Sequence, residues 1–142
     1  MLLADVNVFI YAHRRDAADH ARFRDWLAAQ LASSSNFGFS ELILSSVVRI
    51  ITNSGIYANP TSLGNALRFV DQVRTLPHAV RVEAGSRHWL IFSDLCQRLA
   101  AQGNLVSDCY YAALAIEHGC DWISADKHFA RFPGLRWRHP LE

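Results

Sequence analysis

The chain has 142 residues, close to the commonest size of a protein domain, and residues 1–142 are expected to form a single domain. A hydrophobic content of 51% is sufficient for a packed core, and a charged content of 19% argues against disorder. The formal net charge of +1 excludes a broadly cationic surface, so any nucleic acid would have to be bound by a local patch.

Short apolar strands alternate with longer helices along the chain. The predicted elements in chain order are a strand at 2–4, helices at 6–13 and 16–31, a strand at 37–39, helices at 41–52 and 60–74, a strand at 79–82, helices at 86–102 and 106–118, and strands at 120–123 and 135–137. This alternation predicts an α/β fold, in which helices flank a central, mostly parallel sheet of four to five strands.

The sequence shows no sign of secretion or membrane insertion, and a cytoplasmic location is expected. Asp5 interrupts the apolar N-terminal residues, and no apolar run approaches the roughly 18 residues of a membrane span. Cys96, Cys109 and Cys120 have no CxxC spacing, which favours small buried side chains in a reducing compartment. The histidines lack the pairwise spacing of a zinc site and are expected to be ordinary surface or half-buried residues.

Four acidic residues lie at strand ends or in the first turns of predicted helices: Asp5, Glu41, Asp108 and Asp126. In an open α/β sheet, the carboxyl ends of the strands and the N-termini of the following helices share one edge, so these four side chains could converge. Each also has a simpler explanation. Glu41 and Asp108 would complement helix dipoles, and Asp126 would be a turn residue. Asp5 follows a buried strand, where an ionised group is costly unless something compensates it.

If the four carboxylates meet, their chemistry is constrained. Clustered carboxylates repel one another, and some would take up protons in a bare site. A hard divalent cation removes that conflict, and oxygen ligands suit Mg²⁺ or Mn²⁺. Such a cation can orient a phosphodiester, activate a water molecule and stabilise the departing oxygen.

Four stretches of the sequence carry a resemblance to a known family. They are LLADVNVFIYAH, SELILSSVVRIITN, GNLVSDCYYAALAIEHG and ISADKHFARFPGLRW. In their order and spacing the chain resembles the PIN-domain ribonucleases, and more narrowly the VapC toxins of bacterial VapBC toxin–antitoxin pairs. The resemblance spans nearly the whole chain and implies the α/β/α PIN fold.

The same resemblance implies an activity and a partner. The chain would be a toxic, Mg²⁺- or Mn²⁺-dependent endoribonuclease that cuts a tRNA, rRNA or mRNA and leaves 5′-phosphate and 3′-hydroxyl ends. A VapB-type antitoxin would neutralise it. Homodimers and toxin–antitoxin hetero-oligomers are also implied.

The resemblance further implies which residues form the site. The catalytic residues would be Asp5, Glu41, Asp108 and Asp126. Asp5 and Asp108 would bind the metal directly, and the other two would act directly or through water. Asn7 and Ser124 match positions that support the site. Cys109 follows Asp108 and would leave a thiol near the metal, open to oxidation or to inhibition by a soft metal.

Arginines near the predicted site are candidates for binding RNA phosphates. Arg14 and Arg15 lie at a turn between two predicted helices, close to the helix that follows Asp5. A second candidate group near the C-terminus contains Arg131, Arg136 and Arg138. The three tryptophans that fit helix or strand core patterns are expected to pack in the core: Trp26, Trp89 and Trp122.

Other functions remain open at this stage. A phosphotransfer receiver domain also gathers acids at a sheet edge, but it needs paired acids at its first strand and a lysine after its last, and neither is evident. A PIN-like module without activity would bind RNA or protein without cutting. A PIN nuclease of RNA maturation, without an antitoxin, is the nearest alternative.

Overall fold

The computed structural model describes all 142 residues. Its elements in chain order are β1 (Leu2–Ala4), α1 (Val6–His13), α2 (His20–Ala32), β2 (Phe37–Phe39), α3 (Glu41–Ile51), α4 (Leu63–Arg74), β3 (Ala79–Arg81), α5 (His88–Arg98), α6 (Asn104–Glu117), β4 (Asp121–Ile123) and β5 (Trp137–Arg138). A short 3₁₀ helix, Lys127–Arg131, connects β4 to β5. No helix is long and apolar enough to cross a membrane.

The five strands form one parallel sheet in the order β3-β2-β1-β4-β5, which confirms the predicted α/β architecture. β1 is the central strand, and Leu2 lies opposite Phe37 of β2 and Asp121 of β4. Since β1 and β4 are parallel neighbours, the residues that follow them emerge together. The backbone N–H of Asp5 still donates to the carbonyl of Ile123, over 2.8 Å.

Four predicted helices, those of α2, α4, α5 and α6, begin at different residues in the structure. α2 begins at His20 rather than at residue 16, because Asp19 adopts a left-handed conformation with φ 56° and breaks the helical path. α6 begins at Asn104, so Asp108 lies one turn inside the helix and not in its first turn. Gly119 ends that helix region at φ 64°, in the left-handed region that glycine favours.

The core prediction holds for Trp122 and is wrong for Trp89. Trp122 on β4 is completely buried, whereas Trp89 on α5 is 69% exposed. The reason is that the neighbouring His88 turns inward instead. Its ring is 2% exposed, and its Nε2 atom donates to the carbonyl of Tyr110 over 3.0 Å. α5 therefore packs on α6 through a satisfied histidine and leaves an indole in solvent. Trp26 on α2 is half-buried.

Candidate active site

Asp5 connects the central strand to the first helix. Its Oδ1 atom accepts a hydrogen bond from the Val6 N–H over 2.7 Å and so caps α1. Its Oδ2 atom accepts from the Ser124 hydroxyl over 2.7 Å. Burial first, and then the charges of Asp108 and Asp126, together raise the pKa of Asp5 to about 6 against the opposing effect of these two hydrogen bonds. The two hydrogen bonds therefore fix the orientation of the Asp5 carboxylate, while burial disfavours its ionised form.

A short chain of side-chain hydrogen bonds fixes Asp5 in place. Ser124 is fully buried, and its Oγ atom accepts from Asn7 Nδ2 over 3.2 Å and from the Asp126 N–H over 3.0 Å. Asn7 Oδ1 accepts in turn from the Ala125 N–H over 3.2 Å. Asn7 and Ser124 thus tie the start of α1 to the segment that follows β4. This is the geometry that a supporting role for these two residues requires.

Asp108 reaches the same place from α6. It lies on one helical face with Asn104, Ser107 and Tyr111, at the spacing i, i+3, i+4 and i+7 that brings side chains together. Burial raises the pKa of Asp108, and the charge of Asp126 adds to that effect. A second carboxylate is thus also penalised for being charged.

Asp126 completes the group, and His128 lies between it and Asp108. The Nδ1 atom of His128 is 2.5 Å from Asp126 Oδ1, and its Nε2 atom is 3.1 Å from Asp108 Oδ2. The Nε2 contact has the distance of an ion pair without the angle of a hydrogen bond. His128 was expected to be an ordinary histidine, and its position two residues after Asp126 was the only signal for this contact. The ring also stacks on Phe129, with centroids 4.4 Å apart.

Asp5, Asp108 and Asp126 line one cavity of about 480 Å³, here called the acid cavity. α3 contributes Ser46 and Arg49 to its wall, three residues apart on the helix. Arg49 is exposed and forms an ion pair with no carboxylate. The sequence analysis missed both residues, although their spacing already placed them on one helical face.

Glu41 does not line the acid cavity, so the prediction of a four-acid pocket is corrected to three. Its Oε2 atom is 2.8 Å from Arg74 Nε, and its Oε1 atom is 2.6 Å from Arg81. These arginines belong to α4 and β3, on the far side of β2 from the acid cavity. Glu41 precedes Ser46 by five helical residues, which is a rotation of about 140° and a rise of roughly 7.5 Å. The start of α3 therefore faces the arginines while its middle faces the cavity.

The donor set of the acid cavity fits a hard divalent cation. All its candidate ligands are oxygens, no lysine or arginine neutralises the three carboxylates, and burial raises the pKa of two of them. A cation would offset that penalty. In the present arrangement, no three Asp, Glu, His or Cys side chains stand close enough to share an ion. The His128 ring separates Asp108 from Asp126, and a shared ion would require it to move.

Cys109 does not contribute a thiol to this site. It follows Asp108 in sequence, but it is completely buried and does not line the acid cavity. Burial raises the pKa of its thiol to about 12, so the reactive thiolate is scarce at neutral pH. The expectation of a metal-accessible thiol is therefore wrong.

The arginines predicted to bind RNA differ in availability. Arg14 is 11% exposed and is held by Asp16 at 2.7 Å and by the carbonyl of Asn59 at 2.8 Å, so its role is structural. Arg15 is exposed and has no carboxylate partner. In the C-terminal group, both Arg136 and Arg138 pair with Asp121, at 2.8 and 2.9 Å. Those two guanidiniums are already occupied.

Known proteins are similar to this chain along nearly its whole length. A family model described as the PIN domain matches residues 2–135. A VapC ribonuclease of Mycobacterium bovis is 41% identical over 142 residues, covering 100% of this chain and 97% of the relative. The ribonuclease VapC25 of Mycobacterium tuberculosis is 36% identical over 140 residues, covering 99% of each.

Solved structures share the fold at low sequence identity. The structure of VapBC2 from Rickettsia felis bound to promoter DNA has a TM-score of 0.70 at 14% identity and covers 97% of each chain. VapBC-1 from nontypeable Haemophilus influenzae has a TM-score of 0.69 at 15% identity and covers 99% of this chain and 98% of its own. These likenesses support the fold alone.

Proposed function

The chain belongs to the PIN-domain family and, within it, to the VapC ribonucleases, and from this membership and the acid cavity we propose that it is a divalent-metal-dependent endoribonuclease, the toxin of a toxin–antitoxin pair. The observation that carries the proposal is the acid cavity itself. Three carboxylates, from the residue after β1, from α6 and from the segment after β4, line this one cavity without a lysine or arginine partner. Such an arrangement is costly for stability and useful for holding a cation.

We assign Asp5 and Asp108 as direct ligands of Mg²⁺ or Mn²⁺, with Asp126 acting directly or through a water molecule. A bound ion of this kind supplies positive charge for the phosphate oxygens and lowers the pKa of a water molecule. The chain's own residues do the rest. Ser124 and Asn7 keep Asp5 in one orientation, and we assign to Asp126, which lines the same cavity, the role of orienting a water molecule and accepting its proton.

The substrate is assigned from charge as well as from family. Arg49 is a free guanidinium on the wall of a cavity whose only other charged residues are the three carboxylates. A guanidinium at this position suits an anionic phosphodiester, whose non-bridging oxygens it can bind in a bidentate manner. RNA cleavage at such a site would leave 5′-phosphate and 3′-hydroxyl ends.

We further propose a VapB-type antitoxin as partner, with homodimers and toxin–antitoxin hetero-oligomers as the assembly. Family membership supports this part of the proposal, and the RNA substrate supports a cytoplasmic site of action. A small antitoxin gene beside this one is expected. Its absence would favour a PIN nuclease of RNA maturation.

The direct test uses purified protein stripped of metal with EDTA and mixed with total RNA. Cleavage is expected only when Mg²⁺ or Mn²⁺ is added, and mapping of the new ends is expected to find 5′-phosphates. Asp5→Asn is the control for contaminating nucleases, because it preserves the cap of α1 and removes the charge. Native-rate cleavage by Asp5→Asn, or RNA binding without cleavage by the parent chain, would overturn the proposal.

A further inference from the structure

A second and larger cavity lies beside the acid cavity. It has a volume of about 820 Å³ and is enclosed by the end of α1, the turn that follows it, and the start of α4. Its lining includes Arg14, Arg15 and Arg68, together with one acidic residue, Asp16. We call it the basic cavity.

The positive charge that this cavity presents comes from two arginines. Arg14 and Asp16 neutralise each other through contacts of 2.7 and 3.0 Å. Arg15 and Arg68 are both exposed and have no carboxylate partner, and Arg68 donates only to Asn65 Oδ1, over 2.7 Å. The cavity therefore carries two free guanidiniums and no free carboxylate.

Arginines elsewhere on the surface are mostly paired, which makes this pair unusual for the chain. The paired ones contact Asp19, Asp25, Glu41, Asp94 and Asp121. Five arginines form no ion pair with a carboxylate: Arg49 in the acid cavity, Arg15 and Arg68 in the basic cavity, and Arg87 and Arg131 elsewhere on the surface.

One pair of stacked side chains connects the linings of the two cavities. Tyr57 lines the acid cavity, and the guanidinium of Arg14 lies over its ring, 4.0 Å from the centroid. Arg14 itself lines the basic cavity. The two cavities are therefore neighbours, and Arg14 and Tyr57 form a contact between their linings.

We infer that the basic cavity binds a backbone phosphate of the substrate RNA, away from the bond that is cut, through Arg15 and Arg68. The inference rests on the proposed ribonuclease function and adds a second contact to it. Two guanidiniums that line one cavity suit the charge of a phosphate, whose oxygens each can bind in a bidentate manner. A phosphate contact sets the register of the strand and carries no base preference, so the basic cavity positions the RNA and does not select its sequence.

The test measures RNA affinity against salt concentration, in the cleavage-deficient Asp5→Asn protein. For single-stranded RNA, each phosphate contact contributes about 0.7 to the slope of log affinity against log salt. Because Arg15 and Arg68 are proposed to bind a single phosphate, replacing both by Ala is expected to lower that slope by about 0.7. The double Lys variant keeps the charges and is expected to retain the slope.

The matched control replaces Arg22 and Arg24 by Ala. These residues lie on α2, are exposed, and pair with Asp19 and Asp25. Because two arginines are replaced in each double variant, the change in net charge is the same. Their loss is expected to leave the slope near that of the parent. An equal fall in slope for both double variants would overturn the inference, because the effect would then be one of overall charge.

RNA length provides a second criterion. Fragments shortened stepwise from each end of the cut site are expected to reach a length at which the Arg15 and Arg68 substitutions no longer matter. A deficit that persists in the shortest bound fragment would contradict a contact away from the cut. A double variant with normal RNA binding and lost antitoxin binding would assign the cavity to the protein partner instead.

Failure of this inference is distinguishable from failure of the proposed function. In the native background, the Arg15 and Arg68 double variant is expected to raise KM for a long RNA several-fold with little change in kcat. Metal-dependent cutting with an unchanged KM would overturn the basic cavity and leave the ribonuclease assignment intact. A parent chain that cuts no RNA overturns the function, and with it this inference.

Discussion

Glu41 and the acid cavity are two acidic regions of the same parallel sheet, and they hold their charge in opposite ways. Hydrogen bonding from Arg74, and then the charge of Arg81, keep the pKa of Glu41 below its ordinary value. In the acid cavity, burial raises the pKa of Asp5 and of Asp108. Glu41 is thus a carboxylate whose charge two arginines neutralise, whereas the carboxylates of the acid cavity have no lysine or arginine partner.

The difference shows what decides whether an acid near a strand end belongs to a metal site. Glu41 and Asp5 both lie where a strand passes into a helix, so their local sequence positions are alike. The neighbours come from remote parts of the chain. α4 and β3 bring guanidiniums to Glu41, whereas α6 and the segment after β4 bring further carboxylates to Asp5. Only the second combination creates a demand for a cation.

The largest effect that this comparison predicts is at Asp108. Asp108→Asn removes a proposed ligand and is expected to lower kcat/KM for RNA by about a thousandfold. It is also expected to weaken Mn²⁺ binding in calorimetry. A loss of less than tenfold, with unchanged Mn²⁺ affinity, would show that the acid cavity is not where the ion is held.

The second prediction concerns stability in the absence of metal. The folded-state pKa of Asp5, about 6, lies above the ordinary 3.8, so its contribution to stability is fully present below about pH 4 and is lost as the pH rises through 6. Asp5→Asn has no charge to lose. With the Ser124 hydrogen bond weakened, it is expected to be more stable than the parent by about 2 kcal/mol at pH 8 and no more stable at pH 3.5.

Urea unfolding in EDTA across that pH range measures the difference. Asp121→Asn is the control of opposite sign, because Arg136 and Arg138 hold the pKa of Asp121 below its ordinary value. Its deficit is expected to grow as the pH rises. If Asp5→Asn were the less stable protein at pH 8, the acid cavity would not be a region of unsatisfied charge.

The smallest effect is expected at Glu41. Glu41→Gln removes a charge that two arginines already neutralise, outside the acid cavity. The rate of RNA cleavage and the Mn²⁺ affinity are expected to stay close to those of the parent chain. A loss comparable to that of Asp108→Asn would restore the four-acid site and erase the distinction between the two regions.

Periodicity and strand–helix alternation predicted the parallel sheet because each element is short and its apolar face is clear. The supporting position of Ser124 was implied by the family resemblance alone; in the structure it contacts Asp5 because both stand directly after neighbouring parallel strands. Local patterns of this kind determine which residues leave the sheet at a given edge. They do not determine which way a side chain points when the helix continues for several turns.

The direction in which helical side chains point accounts for the incorrect predictions. Glu41 and Ser46 are on the same helix, and which of them faces the cavity depends on how α3 lies against α1 and α4. The inward turn of His88 displaced Trp89 in a similar way. His128 escaped notice because its two partners come from α6 and from the turn it follows, and a single sequence does not reveal such a three-way contact.

Because Cys109 is buried, the rate at which its sulfur is alkylated reports how often the helix that carries Asp108 opens. An alkylating reagent can reach this sulfur only when α6 separates locally from its surroundings, so the labelling rate measures the frequency of that local opening. Ligands that bind the adjacent Asp108 carboxylate are expected to lower the labelling rate without contacting the sulfur. Occupancy of the acid cavity can thus be followed by mass spectrometry on an unmodified chain.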